Sequence, residues 1–83
     1  MSAAEAAELA HLKRQLSGGL EAVRTDLGIS RAELARRLGL ARSAVSRLLR
    51  GSGSTQLRFL ARVSVRLRLR VRLELTAAEA RRE

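Results

Sequence analysis

The sequence predicts a mainly α domain of four to five helices that ends in a single β-strand. Three observations lead to that expectation. Apolar residues recur at helical spacing from the N-terminus to Leu49, with Gly and Ser at the breaks. Gly39 joins two short amphipathic stretches, residues 31–38 and 42–50. From Val63 to Leu75 the period changes to two, with Arg66, Arg68, Arg70, Arg72 and Glu74 between the apolar positions.

At 83 residues the chain is one domain with a modest core. Phe59 is the one aromatic residue, so the core must be Leu, Val and Ala, and oligomerisation is the expected supplement. The sequence has no Cys and no Pro, which excludes disulfides and thiolate metal sites. No apolar run approaches the ~20 residues that cross a bilayer, and no signal-peptide pattern opens the chain. A soluble cytoplasmic protein, associated with the nucleoid and with no membrane partner, is expected. The formal charge is +9, and residues 30–73 hold twelve Arg against one acid, Glu33. Such a concentration calls for a polyanion, and nucleic acid is the usual one.

Residues 2–15 are rich in Ala and Glu, strong helix formers. Ser2 with Glu5 three residues on predicts a capping box. Leu9, Leu12 and Leu16 make a thin apolar stripe, so residues 1–17 read as an N-terminal helical arm. His11 has no Cys or second His to share a metal and reads as a surface side chain. Ser17-Gly18-Gly19 predicts a break. The alternative, one long helix through it, costs about 1 kcal/mol per glycine.

Residues 18–66 form the expected central domain. Leu20, Val23 and Leu27 stack on its first helix, Gly28 ends that helix and Ile29 plugs the junction. Ser30 is the expected N-cap of the next, with Glu33 at the reciprocal position. Its outward N–H groups suit a phosphate. Leu34, Ala35 and Leu38 face inward, and Gly39 stops the helix by taking φ > 0. On residues 42–50, Val45, Leu48 and Leu49 face inward. Arg42, Ser43, Ser46, Arg47 and Arg50 face outward, with no acid among them. Ala41 offers no side-chain cap, which leaves Ser43 for that role. Residues 51–54 read as a linker-like loop and Thr55 as an N-cap. Leu57, Leu60, Ala61 and Ser64 should line the inner face of a fourth helix ending near Arg66.

Two short helices on a glycine turn, with donors facing outward on the second, describe a helix-turn-helix whose second helix enters the major groove. The stretch from Ile29 to Leu40, continued by Val45-Ser46-Arg47-Leu48-Leu49-Arg50-Gly51, resembles the Cro/repressor-type helix-turn-helix of phage and bacterial regulators. The shared features are Leu-Ala on the first helix, Gly at the turn, Val-Ser-Arg-Leu on the second helix and Arg-Gly after it. The resemblance implies that Ala41, Arg42, Ser46 and Arg47 face base edges and that Ser43 and Arg50 lie nearer the backbone. Ser30 and Arg31 would hold phosphate, although family members often carry Gln where Arg31 stands. Leu49 stands where an acidic residue is common. Arg reads guanine O6 and N7, so a G-containing half-site is expected.

The alternating tail, residues 67–76, reads as a strand, with the switch from helix near Leu67. A lone strand cannot satisfy its backbone or form a sheet. No other segment has strand character, so the simplest partner is the same strand of a second copy, antiparallel about a two-fold axis. Leu67, Leu69, Val71, Leu73 and Leu75 are the expected dimerisation residues. A homodimer would set two reading helices on a palindromic operator in double-stranded DNA. Helices followed by such a strand are similar to the antitoxin subunits of bacterial toxin–antitoxin pairs, a likeness that spans Leu20 to Leu75. It implies autorepression and a cognate toxin, held by the N-terminal arm or by the tail at residues 76–83.

No catalytic constellation, phosphate loop, metal spacing or nucleotide fingerprint is present, so neither an enzyme nor a cofactor is expected. Three readings remain: a sequence-specific dimeric repressor, with or without a toxin; a nonspecific nucleoid-type binder that works by charge; and a module whose basic surface meets an acidic protein.

Overall fold

A computed structural model describes residues 1–52 and 56–77. It contains four helices: α1 (Ala3–Leu27), α2 (Arg31–Leu38), α3 (Arg42–Leu49) and α4 (Leu57–Leu67). No strand occurs among the described residues.

α1 begins as its sequence directs. The Ser2 hydroxyl accepts from the Glu5 N–H, and the Glu5 carboxylate accepts from the Ser2 N–H. The expected break at Ser17-Gly18-Gly19 does not occur, and one helix runs through it for 25 residues. The reason is packing. Ser17 is buried and its hydroxyl donates to the Arg14 carbonyl. The turn after α3 lies directly on this face, where a Cβ on Gly51 would come within 3.5 Å of Ser17 Oγ and 3.8 Å of the Lys13 carbonyl oxygen. Gly51 adopts φ +74°, so it supplies both the left-handed turn and the close approach. That contact offsets the cost of two helical glycines.

Three helices end alike. In each, the N–H two residues past the helix end reaches back to a carbonyl: Ile29 to Arg24, Leu40 to Ala35 and Leu69 to Ser64. Each of those residues also packs against the core. Gly39 fills the left-handed position after α2 at φ +69°. After α4 that position belongs to Arg68 at φ +56°, the one non-glycine residue with positive φ among the described residues. The α1–α2 corner is tied further by Arg24, which donates from Nε to Glu21 at 3.0 Å and from Nη1 to the Ile29 carbonyl at 2.7 Å.

The core is Leu20, Leu34, Ala35, Leu38, Val45, Val63 and Leu67. α2 provides its centre, with Leu38 fully enclosed. The inner face of α4 differs from expectation. Val63 and Leu67 are buried and Phe59 and Leu60 half-buried, whereas Leu57 is 71% exposed and Ala61 is exposed. The α4 register is therefore set by Phe59, Val63 and Leu67 at i, i+4 and i+8. Leu67 is a helical core residue and not the first residue of a strand. The Ser64 hydroxyl, turned inward, donates to the Leu69 carbonyl and fixes where the chain leaves the helix. Gln56 takes the N-cap position of α4 without a side-chain bond. The cap expected at Thr55, residues 53–54 of the expected loop and the end of the tail lie outside the described residues.

After Leu69 the chain carries no regular structure through residue 77. Leu69 and Val71 are half-buried while Arg70 and Arg72 are exposed, so the alternation survives at the start of the tail. Leu73 and Leu75 are exposed.

Candidate nucleic-acid interface

α2 is the platform. Ser30 caps it by accepting from the Glu33 N–H at 3.1 Å. The reciprocal half of the expected capping box does not form, because the Glu33 carboxylate turns to Arg36 and Arg37. Those two guanidiniums hold its carboxyl at about 2, well below the usual carboxylate range. The Arg36 guanidinium is shifted upward in turn by the same bond. Both arginines thus have an intramolecular partner before any ligand arrives.

Gly39 then reverses the chain and α3 packs across α2. Val45 is buried against Leu34 and Leu38 in the core, and Leu49 packs on its edge. With that side fixed, Ser43, Arg47 and Arg50 at i, i+4 and i+7 form one outward row, with Arg42 and Ser46 beside it. Arg42, Ser43, Arg47 and Arg50 are exposed and Ser46 is half-buried at the margin. Ala41 is exposed at the N-cap. Neither Ser43 nor any other side chain caps the helix, so the cap expected from Ser43 is absent. Ser30 and Arg31 are exposed at the start of α2.

The electrostatic contrast with α2 is sharp. Among the described residues, Arg42, Arg47 and Arg50 have no ion pair or side-chain hydrogen bond, and α3 carries no acid. Their donors are free for an external acceptor. Arg24 and Arg36, by comparison, are already paired with Glu21 and Glu33. The pairing between Glu21 and Arg24 lowers the Glu21 carboxyl as well, with a smaller pull from Arg31.

A family model described as helix-turn-helix matches residues 20–77, more than half of the chain. The chain belongs to the Cro/repressor-type helix-turn-helix family. No curated protein and no solved structure matches it. A helix-turn-helix protein of this family is a DNA-binding transcription regulator that acts on duplex DNA. In this helix-turn-helix protein, no described helix is long and apolar enough to cross a membrane. No described group of three His, Cys, Asp or Glu is placed to hold a metal.

The helix-turn-helix frame also brings in residues the sequence did not single out. Arg58 and Arg62, one turn apart on α4, line a shallow recess with Arg47, floored by Leu48 and Phe59. Their i, i+4 spacing on an apolar-faced helix was the available signal. Arg66 completes the same row one turn further along α4 and reaches α2.

Proposed function

We propose that the chain is a sequence-specific repressor that reads a palindromic duplex as a homodimer and serves as the autoregulatory antitoxin of a toxin–antitoxin operon. The outward face of α3, three unpaired arginines with two serines and no acid, is the observation that supports sequence reading most strongly. In this reading Ala41, Arg42, Ser46 and Arg47 meet base edges, with the arginines as donors to guanine. Ser30, Arg31, Ser43 and Arg50 meet phosphates. The repressor is cytoplasmic and associated with the nucleoid.

The tail supports the homodimer. No hydrogen bond joins the backbone of residues 70–77 to the described chain, and Val71 is half-buried between the exposed Arg70 and Arg72. An antiparallel copy of the same segment would satisfy those groups and cover Leu73 and Leu75. The arm at residues 1–17 and the end of the tail are the surfaces left for a toxin.

Selection from a random duplex library at about 150 mM salt tests this reading. One enriched palindromic motif is the expected result. Enrichment of nothing, with binding that falls steeply with salt on every duplex, would replace it with a charge-driven nucleoid binder. No duplex bound, with an acidic protein co-purifying, would replace it with an interaction module. For the antitoxin role, an adjoining reading frame whose product arrests growth unless this chain is present is expected.

A further inference from the structure

α1, α4 and the tail border a groove of about 530 Å³. Leu9, Leu12, Leu16 and Gly19 line its α1 wall at helical spacing, with Leu57 of α4 and Leu73 of the tail among the residues that complete it. Leu12, Leu57 and Leu73 are each more than half exposed. Open apolar surface of this extent beside so small a core marks an interaction site. No residue of α2 or α3 lines the groove, and the α1 wall up to Gly19 lies outside the family match.

The lining selects the occupant. Its charged side chains are Lys13, Arg70 and Arg72, with no acid among them. None of the three has an ion pair or a side-chain hydrogen bond among the described residues. Cations beside an apolar floor fit a partner whose acids flank its apolar residues. A second copy of this chain would bring a net charge of +9 to the same cations. Nucleic acid and lipid fit poorly as well. The lining holds no aromatic side chain on which a base could stack or that could enter a headgroup layer.

The length of the groove suits a helix. Its α1 wall runs from Leu9 to Val23, roughly 21 Å at the rise of an α-helix, so an occupant of about four turns fits along it. A Cβ on Gly19 would meet nothing within 4 Å, which leaves room for a close approach. An extended occupant would need the tail backbone as its hydrogen-bond partner, and the homodimer reading gives that backbone to a second copy.

We propose that this groove takes an acidic amphipathic helix of another protein, its apolar side on Leu12, Leu16 and Leu57 and its carboxylates on Lys13, Arg70 and Arg72. The inference goes beyond the DNA reading and does not depend on it. It gives a chemistry to a partner held by the arm at residues 1–17, whether or not that partner is a toxin.

Three labelled peptides of about four helical turns test it on the full-length protein, by fluorescence anisotropy at about 150 mM salt. The first carries Leu every third or fourth residue with Glu and Ala elsewhere. The second has Lys in place of Glu, and the third scrambles the order of the first. Saturable one-to-one binding of the first, at least about tenfold tighter than of the other two, is expected. Leu12→Gln with Leu57→Gln, both at exposed positions, is expected to weaken it at least about tenfold. Lys13→Glu with Arg72→Glu is expected to shift the preference to the second peptide, and circular dichroism checks that both variants keep the parent fold. Equal binding of the three peptides, or unchanged binding by the leucine variant, would overturn the proposal. So would loss of peptide binding in Arg47→Ala, which would put the peptide on α3. A dimeric parent made monomeric by the leucine variant would give the groove to a second copy instead. Binding to phosphatidylglycerol vesicles that the leucine variant loses, without peptide binding, would make it a lipid-facing surface.

Discussion

Arg66 of α4 donates from Nη1 to the main-chain carbonyl of Arg37, 3.3 Å away, and its guanidinium lies over Gly39. This side chain closes the carboxyl end of α2 from a helix 29 residues further along the chain. It therefore couples the helix-turn-helix corner to the element that seals the core. A cation here also complements the negative end of the α2 dipole. Arg66→Ala is expected to lower stability by about 1 kcal/mol, a loss of roughly 4–8 °C in thermal midpoint for a domain of this size. Gly39→Ala is expected to cost about 1–2 kcal/mol, because it strains a positive φ and presses a Cβ toward Arg66. An unchanged midpoint for both variants would show that the corner does not depend on this contact.

Leu38 has no exposed surface and sits where α2, α3 and α4 converge. Leu38→Ala is expected to cost about 2–5 kcal/mol. A chain of this length has roughly 4–12 kcal/mol in total, so the variant should be partly unfolded at 25 °C in urea titration. A stability loss below about 1 kcal/mol would mean that the core repacks around the gap.

Two backbone positions carry avoidable cost. Arg68 holds a left-handed conformation that glycine adopts freely, so Arg68→Gly is expected to stabilise the chain by about 1 kcal/mol. Gly18 is exposed inside α1 with nothing within 4 Å of its Cβ position, so Gly18→Ala is expected to add roughly 0.5–1 kcal/mol. Thermal melts of both variants check this. A destabilised Gly18→Ala would show that α1 opens at residues 17–19 in solution.

Glu33 gives the stability a pH dependence. Its carboxyl lies at about 2 in the folded chain, against an ordinary value of 4.5. The unfolded chain therefore takes up the proton first as pH falls. The stability contributed by Glu33 is complete above about 4.5 and is lost between there and about 2. Glu33→Gln is expected to melt below the parent at neutral pH, with the difference closing across that window. The group is partly open to solvent, so the difference is small. A difference that persists unchanged at pH 2 would place the stabilisation elsewhere, for example in the Ser30 cap.

Local chemistry was readable in the sequence. Ser2 with Glu5, Ser30 and Gly39 act through neighbours within four residues, and each boundary they mark is where the structure has it. The outward set on α3 was readable for a similar reason, since burying Val45 leaves its opposite side no choice. The continuity of α1 was not readable, because Ser17 meets Gly51, 34 positions away, and no local rule anticipates that contact. The α4 face was misjudged where helical and alternating patterns overlap, from Val63 to Leu67. The tail is a different case. Its alternation is plain, but a strand needs a neighbour, and a single chain contains none.

The α3 arginines either read bases or only hold phosphate. The decisive measurement is the affinity of parent and Arg47→Ala for the selected duplex and for a scrambled duplex at the same salt. Loss of a bidentate guanine contact worth roughly 1–3 kcal/mol predicts about a 5- to 150-fold fall on the selected duplex and little change on the scrambled one. Equal losses on both, or none on either, would contradict the assignment of α3 as the reading helix.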